Sequence, residues 1–477
     1  MKRQSKLIIT FPVVFFVLLT NCTGYHKADN SKLEKVPTAF VLQNDSTTSA
    51  DVGWRDFFKD SVLVNLIEQG LNRNLDILTA FQRIEFSKAE MTFSHKALLP
   101  SLSVNASAAR RKYGLYTMDG AGNISTEIEP GYIVPINLPD YYVGFQSSWE
   151  ADIWGKLKNK KKSAIARYLA TVEGKNFLTT NLVAEIALNY YDLLAMDNQL
   201  EILRETIKLQ DEALQIAEVQ KRAGVTNELA VEQFEAQLLS SKALELEVEQ
   251  SITERESKLN HLLGRYPQSI TRKGLEFMRE APYVIKVGVP ADLLRNRPDV
   301  RRAEYELMAS GADVKSARKA FYPSVTITGA VGYQAYKMAF LFSSPESVAY
   351  ALVGGLAAPI LNRKELKREL GKSMALNQMA VYAYQNALIT GFTEVHNEMI
   401  RINRLEKILE YKLKEADVMS LSIETSSELF KTGRANYMEV LMAQRNSLRS
   451  KLEMVSTKQK QFNSFINIYK ALGGGWK

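Results

Sequence analysis

His95-Lys96-Ala97-Leu98-Leu99-Pro100-Ser101-Leu102-Ser103-Val104 and Arg318-Lys319-Ala320-Phe321-Tyr322-Pro323-Ser324-Val325-Thr326-Ile327 are two versions of one decapeptide, 223 positions apart. Upstream, Asn74-Leu75-Asp76-Ile77 matches Arg297-Pro298-Asp299-Val300 at the same spacing. Downstream, Ala223-Gly224-Val225-Thr226-Asn227-Glu228-Leu229 matches Thr432-Gly433-Arg434-Ala435-Asn436-Tyr437-Met438 at a spacing of 209. A duplication of this length implies two similar structural halves, not one large catalytic core. The spacing shortens by 14 between the two halves, so the first hairpin carries the longer loop. That loop, roughly 113–140, is rich in Gly, Pro and polar residues and is expected to be an exposed irregular tip.

The decapeptides open into period-two sequence. Segments 101–112, 141–153, 323–334 and 348–360 alternate apolar with polar or small residues. In the second, Tyr141, Val143, Phe145, Ser147, Trp149, Ala151 and Ile153 share one side; in the last, Val348, Tyr350, Leu352, Leu356 and Ile360 do. Alternation of this kind gives one apolar face and one polar face. A soluble sheet on a helical core would read the same way. Lengths near ten residues, with Tyr113, Tyr116, Tyr132, Tyr141, Tyr333, Tyr336 and Tyr350 close to the ends, also suit membrane-barrel strands with an interfacial girdle. Four strands cannot close a barrel, and an open edge in lipid leaves backbone groups unpaired. Membrane strands therefore require several copies of the chain sharing one barrel.

From Ala164 to Ala223 there is no proline and one interior glycine, Gly174. Continuous helix there would run about 90 Å. Ile186, Leu193, Leu200, Ile207 and Leu214 recur every seven residues, and their mates in the second half are Val395, Ile402, Leu409, Ala416 and Ile423. A sustained period of seven predicts left-handed supercoiling helices. Glu228–Leu263 and Tyr437–Ala471 are the expected returning helices, with turns at Gly224 and Gly433. An antiparallel coiled-coil stalk would explain these helices but not the strands.

Lys2, Arg3 and Lys6 precede an apolar run from Leu7 to Leu19, too short to span a bilayer and suited to a secretory signal. Cys22, the single cysteine of 477 residues, follows it. A lone Cys excludes intrachain disulfides and Cys-rich metal sites. At this place it resembles the lipidated cysteine of a bacterial lipoprotein, although Asn21 stands where a small residue is usual; a chance cysteine at a cleavage site is the alternative. The net charge of +8 is spread thinly. Its densest run, Lys156 to Lys162, lacks interleaved aromatics, which argues against a nucleic-acid surface. His26, His95, His261 and His396 have no metal-ligand spacing. Gly371-Lys372-Ser373 lacks the upstream glycine of a phosphate loop. No cofactor or catalytic grouping is expected.

The string Val289-Pro290-Ala291-Asp292-Leu293-Leu294-Arg295-Asn296-Arg297-Pro298-Asp299-Val300-Arg301-Arg302-Ala303-Glu304 resembles the signature of the outer membrane efflux channels, the TolC-like family, in its NodT-type lipoprotein branch. Ala320–Ser324 and Thr432–Tyr437 resemble the same family, over a span from about Trp54 to the C-terminus. The resemblance implies an α+β membrane protein. Its parts are a long antiparallel α-helical barrel and a shared transmembrane β-barrel, four strands per chain, in a homotrimer. It implies passive export of small solutes or drugs, fed by a periplasmic adaptor (membrane fusion protein) and an inner-membrane, proton-driven efflux pump. No catalytic activity and no metal or other cofactor are implied. The expected organisation is a signal peptide (1–21), a lipidated periplasmic segment (22–53) that anchors in outer-membrane lipid, a first repeat (54–280) and a second repeat (281–477).

In such channels the helix tips face the adaptor and narrow the duct. Carried onto this chain, the adaptor-contacting residues are Gly224, Val225, Thr226, Asn227, Gly433, Arg434, Ala435 and Asn436. Relatives often place an acid or serine at Ala435 and an acid at Met442, so a carboxylate ring at those positions is missing here. Glu424, Glu428 and Glu439 are the candidate gate carboxylates, with Arg434 as a partner across protomers; a solvated helix face is the alternative. Pro290 and Pro298 should bracket a short segment, and Asp299 should accept backbone N–H bonds at a helix N-terminus. The outer duct of a protein-secretion system and a lipid-anchored coiled-coil scaffold without a pore are the other functional readings.

Overall fold

The computed structural model describes residues 37, 49–272, 277–278, 286–288, 290, 292–359 and 363–477. The signal segment 1–21, Cys22, His26, Ile360 and the expected boundary between the repeats at 280 and 281 lie outside the described residues. Two short helices, α1 (Trp54–Phe57) and α2 (Ser61–Arg73), lead into α3 (Leu75–Lys96). Side chains fix these starts. Asp60 Oδ1 accepts from Val62 N at 2.7 Å, and Asn74 Oδ1 accepts from Asp76 N at 3.0 Å and Ile77 N at 3.1 Å.

The chain then enters β1 (Ser101–Lys112) and reaches a hairpin end that is not irregular. The stretch expected to be a Gly/Pro-rich loop folds into α4 (Met118–Ser125) and a small ribbon of β2 (Glu127–Glu129) and β3 (Tyr132–Ile133). Thr117 caps α4 by accepting from Gly120 N at 3.1 Å, a local signal weaker than the surrounding glycines. The return strand β4 (Asn137–Ala151) starts four residues earlier than its alternation suggests. It leads into α5 (Lys156–Arg222), which reverses into α6 (Glu228–Leu262). The second half repeats the plan with α7 (Asp292–Asn296), α8 (Pro298–Lys319), β5 (Ser324–Ala335), β6 (Val348–Ala357), α9 (Arg363–Lys431) and α10 (Tyr437–Ala471).

The four long strands form one antiparallel sheet in the order β1–β4–β5–β6. Its register sorts the side chains cleanly. Val104, Phe145, Val331 and Tyr350 make one cross-strand row, and Ala106, Val143, Tyr333 and Val348 the next. This face is apolar and open to solvent in the single chain, with Tyr350 85% and Leu352 79% exposed. The opposite face carries Ser103, Gln146, Ala330 and Ala351, then Asn105, Gly144, Gly332 and Ala349. Gly144 and Gly332 face one another so closely that a Cβ on Gly144 would lie 2.6 Å from Gly332 Cα. Strands β1 and β6 are edges, each with one side unpaired in the chain.

The helices repeat the order of the strands. α5 packs between α3 and α8 near the sheet and between α6 and α10 farther away, while α9 packs on α8 and then α10. The wall therefore reads α3/α6, α5, α8/α10, α9, matching β1, β4, β5, β6. α5 has 67 residues and α9 has 69, about 100 Å each. The heptad stripe from Ile186 to Leu214, and its mate from Val395 to Ile423, is buried or half-buried throughout. No helix among the described residues is long and apolar enough to cross a membrane.

The short helices abut end to end at two duplicated joints. In the first, Asn74 Nδ2 donates to Leu262 O at 2.9 Å, and a Cβ on Gly264 would lie 2.3 Å from Arg73 O. In the second, Arg297 Nη1 donates to Ala471 O at 2.7 Å, and a Cβ on Gly473 would lie 2.5 Å from Asn296 O. Both glycines have φ near the left-handed region, +66° and +89°. Arg297 also pairs with Asp299 and with Glu394 of α9, each at 2.7 Å. Burial opposes its charge, but the two carboxylates outweigh that and raise its pKa. Asp299 accepts one backbone bond, from Val300 N at 3.0 Å. It sits behind Pro298 in the first turn of α8, at the helix N-terminus as expected, and its carboxylate also holds Arg297. Around the joints lies the main core: Phe57 stacks on Tyr469 at 3.9 Å, and Tyr191 on Phe462 at 4.5 Å.

Arg297→Ala leaves Asp299 unpaired and the α10 terminus without its donor. A loss of about 3 kcal/mol is expected, seen as a lower thermal midpoint, whereas Asn65→Ala on the exposed side of α2 should leave the midpoint unchanged. Glu398, also on α9, is buried against Ser464, Arg401 and Glu394, and burial raises its pKa. The ionised form is thus the disfavoured one. Its penalty is absent below the ordinary carboxylate range and complete above the raised pKa, so stability from this group falls as pH rises. Glu398→Gln should raise the thermal midpoint at pH 8 and leave it unchanged at pH 4.

Candidate functional site

At the far ends of α5 and α9 the chain turns twice in the same way. Gly224 and Gly433 adopt φ +70° and +71°, and a Cβ at either would meet open space. Val225 N donates to Gln220 O at 2.9 Å, and Arg434 N to Leu429 O at 2.8 Å, the six-to-one bond of a glycine-terminated helix. Asn227 then caps α6 by accepting from Ala230 N, and Asn436 caps α10 by accepting from Met438 N and Glu439 N. The sequence-identified tip residues Gly224, Val225, Thr226 and Asn227 therefore form one turn, and Gly433, Arg434, Ala435 and Asn436 the other.

The two turns are held together by a small apolar cluster. Phe234 and Phe430 approach to 6.1 Å between ring centres, with Val440, Leu441 and Ala217 buried around them. Gln220 Nε2 donates to Phe430 O at 3.4 Å. Both hairpin ends are thus packed against each other. Beside them runs a groove of about 520 Å³ lined by Val418, Leu421, Thr425, Leu429, Arg434 and Glu439. Val418 and Leu421 are each 61% exposed on its floor.

The candidate gate residues divide by environment. Glu439 Oε2 accepts from Asn436 N at 3.1 Å and completes a capping box. Its carboxylate is part of the turn. Glu428 pairs with Lys431 at 2.9 Å on the same helix face. Glu424 and Arg434 are exposed. No described ion pair joins Arg434 to any of the three glutamates within the chain. Sequence reading missed the capping role of Glu439, although Asn436-x-x-Glu439 is a capping-box spacing. No group of three or more His, Cys, Asp or Glu that could hold a metal occurs among the described residues.

An apolar-faced four-stranded sheet with two open edges, carried on a helical wall of the same order, defines a subunit of an outer-membrane channel. The model of the family described as outer membrane efflux protein matches residues 66–265 and 289–474. The chain belongs to that family. It is 28% identical over 465 residues to the probable outer membrane lipoprotein SilC of Salmonella typhimurium, covering 96% of this chain and 97% of that one. It is 28% identical to the solvent efflux pump outer membrane protein SrpC of Pseudomonas putida, over 88% of this chain and 87% of that one. Its fold superposes on the outer-membrane channel OprN with a TM-score of 0.83 at 22% identity, covering 95% and 99% of the two chains. The protein is an outer-membrane channel subunit of an efflux system that works with a periplasmic adaptor and an inner-membrane pump.

Asn436→Ala removes the cap of α10 and should lower stability by about 1 kcal/mol. Glu439→Gln keeps an acceptor at the third helical position and should cost far less. Thermal melts of the two variants check this ranking.

Proposed function

We propose that three copies of the chain close one twelve-stranded barrel and one helical duct. The observation that carries this is the pair of open edges shared by sheet and wall. β1 and β6 run antiparallel to each other, because the sheet has an even number of alternating strands. The β1 edge of one copy can therefore pair with the β6 edge of the next without reversing direction. Two copies would give eight strands, an interior that side chains fill. Three leave room for a solute. The exposed apolar residues Phe86 and Phe93 on α3, and Met379 and Tyr411 on α9, lie on the matching helical edges.

In this reading Cys22 is lipidated and anchors the assembly in the outer leaflet's partner monolayer, and the turns 224–227 and 433–436 meet the adaptor. The groove beside Arg434 offers an apolar floor and a charged rim to an adaptor tip. Glu424 and Glu428 form the charged ring of the gate, with Arg434 reaching a neighbouring protomer. Glu439 is assigned to the turn instead. The pump is proton-driven and supplies the energy, and the channel catalyses nothing.

Conductance in planar bilayers tests the proposal. The purified assembly should pass current, and Glu424→Lys with Glu428→Lys should move the reversal potential in a salt gradient toward anions. An unchanged reversal potential removes these residues from the gate. An assembly that never conducts, even with adaptor present, removes the pore.

A further inference from the structure

The lysine run Lys156 to Lys162 has no part in the channel described so far. Lys156 and Lys160 line a cavity of about 750 Å³ together with Glu150, a residue of the polar sheet face. At 100° per residue, Lys158 and Lys162 fall on the opposite side of α5. Both are exposed. The neighbouring helix α8 behaves alike. Ser310 and Asp313 line the same cavity, which places Lys315 and Lys319 on the side away from it. α5 and α8 are level here, since Ser316 Oγ donates to Lys156 O at 3.0 Å. Two pairs of lysines, each four residues apart, therefore share one outer patch across two adjacent helices.

Three nearby carboxylates are engaged elsewhere. Glu150 pairs with Lys156 at 2.5 Å, and Asp313 pairs with Arg167. Asp152 accepts from Leu157 N at 3.0 Å and Lys158 N at 2.7 Å in the first turn of α5. From Lys156 to Val172 the helix holds no acid at all. Lys319 Nζ lies 5.1 Å over the ring of Tyr322, which stacks on Trp154 at 5.2 Å, and both rings are partly exposed. The patch sits just past the last apolar row of the sheet, Ala151, Val325 and Leu356. Lysine and aromatic side chains at that depth meet the head-group layer, where a lysine stem can extend toward phosphate.

We infer that Lys158, Lys162, Lys315 and Lys319, with Tyr322 and Trp154, bind the phosphates of anionic phospholipid head groups in the periplasmic leaflet of the outer membrane. This rests on the sheet spanning that membrane. The patch holds a lipid collar around the neck of the channel, where sheet passes into helix, and selects the lipid by charge.

Native mass spectrometry of the full assembly released from nanodiscs of equal phosphatidylglycerol and phosphatidylcholine tests it. The native chain should retain phosphatidylglycerol preferentially, by about fivefold for each lysine engaged. The preference should shrink on raising salt from 50 to 500 mM. Changing all four to glutamine (Lys158→Gln, Lys162→Gln, Lys315→Gln, Lys319→Gln) should abolish it, and the four arginine replacements should keep it. Equal retention of the two lipids by the native chain, or an undiminished preference in the glutamine variant, overturns the inference. If the glutamine variant does not assemble, a salt-independent preference in the native chain overturns it equally. A chain that never enters the nanodisc would instead refute the membrane-spanning reading on which this one rests.

Discussion

Unpaired backbone groups on β1 and β6 are the constraint on which the rest of the structure depends. In water such an edge is merely a risk of misassociation. In hydrocarbon each unsatisfied group costs several kcal/mol, and a ten-residue edge is prohibitive. The sheet can occupy a membrane only if another copy covers both edges. That requirement explains why the strand number is even, why the apolar face is continuous from β1 to β6, and why the helices keep the order of the strands. A neighbour that pairs with β6 must also pack on α9, because α9 follows β6 directly. Closure in the membrane and closure below it are one event.

The second requirement is length. α5 and α9 are continuous, but their partners are made of pieces, 22 and 35 residues in each half. The pieces behave as one helix only if the joint is filled and its orphan carbonyls are bonded. One half uses the amide of Asn74, and the other uses the guanidinium of Arg297 at the equivalent position. The arginine reaches farther and adds Glu394 of α9, so the second joint ties three helices where the first ties two. Gly391 leaves room for it, with a Cβ there falling 3.0 Å from Arg297 Nε.

Much of this was legible in the sequence because it rests on local periodicity. Alternation from Ser101 to Lys112 gave that strand to the residue, and the duplicated motif around Gly224 and Gly433 located both turns. The seven-residue stripe through Ile186 and Val395 marked the buried side of the long helices. What was not legible depends on contacts between distant segments. The cap over the first hairpin hangs on Thr117 and looks like loop in composition. Asp299 reads as an acid at a helix N-terminus, which it is, but its pairing with Arg297 shows only in the fold. The bond from Asn436 N to Glu439, which closes the capping box, shows only once the turn is folded. The outer lysine patch needs both α5 and α8, which lie far apart in sequence and meet only in the folded wall.

Hydrogen–deuterium exchange on the assembled protein in lipid, resolved to β1 and β6, tests the central claim most directly. Edges paired by neighbouring copies should be protected as strongly as the interior strands β4 and β5. Amides of β1 and β6 that exchange freely while β4 and β5 stay protected would contradict it, because the sheet would then stand in the membrane with open edges.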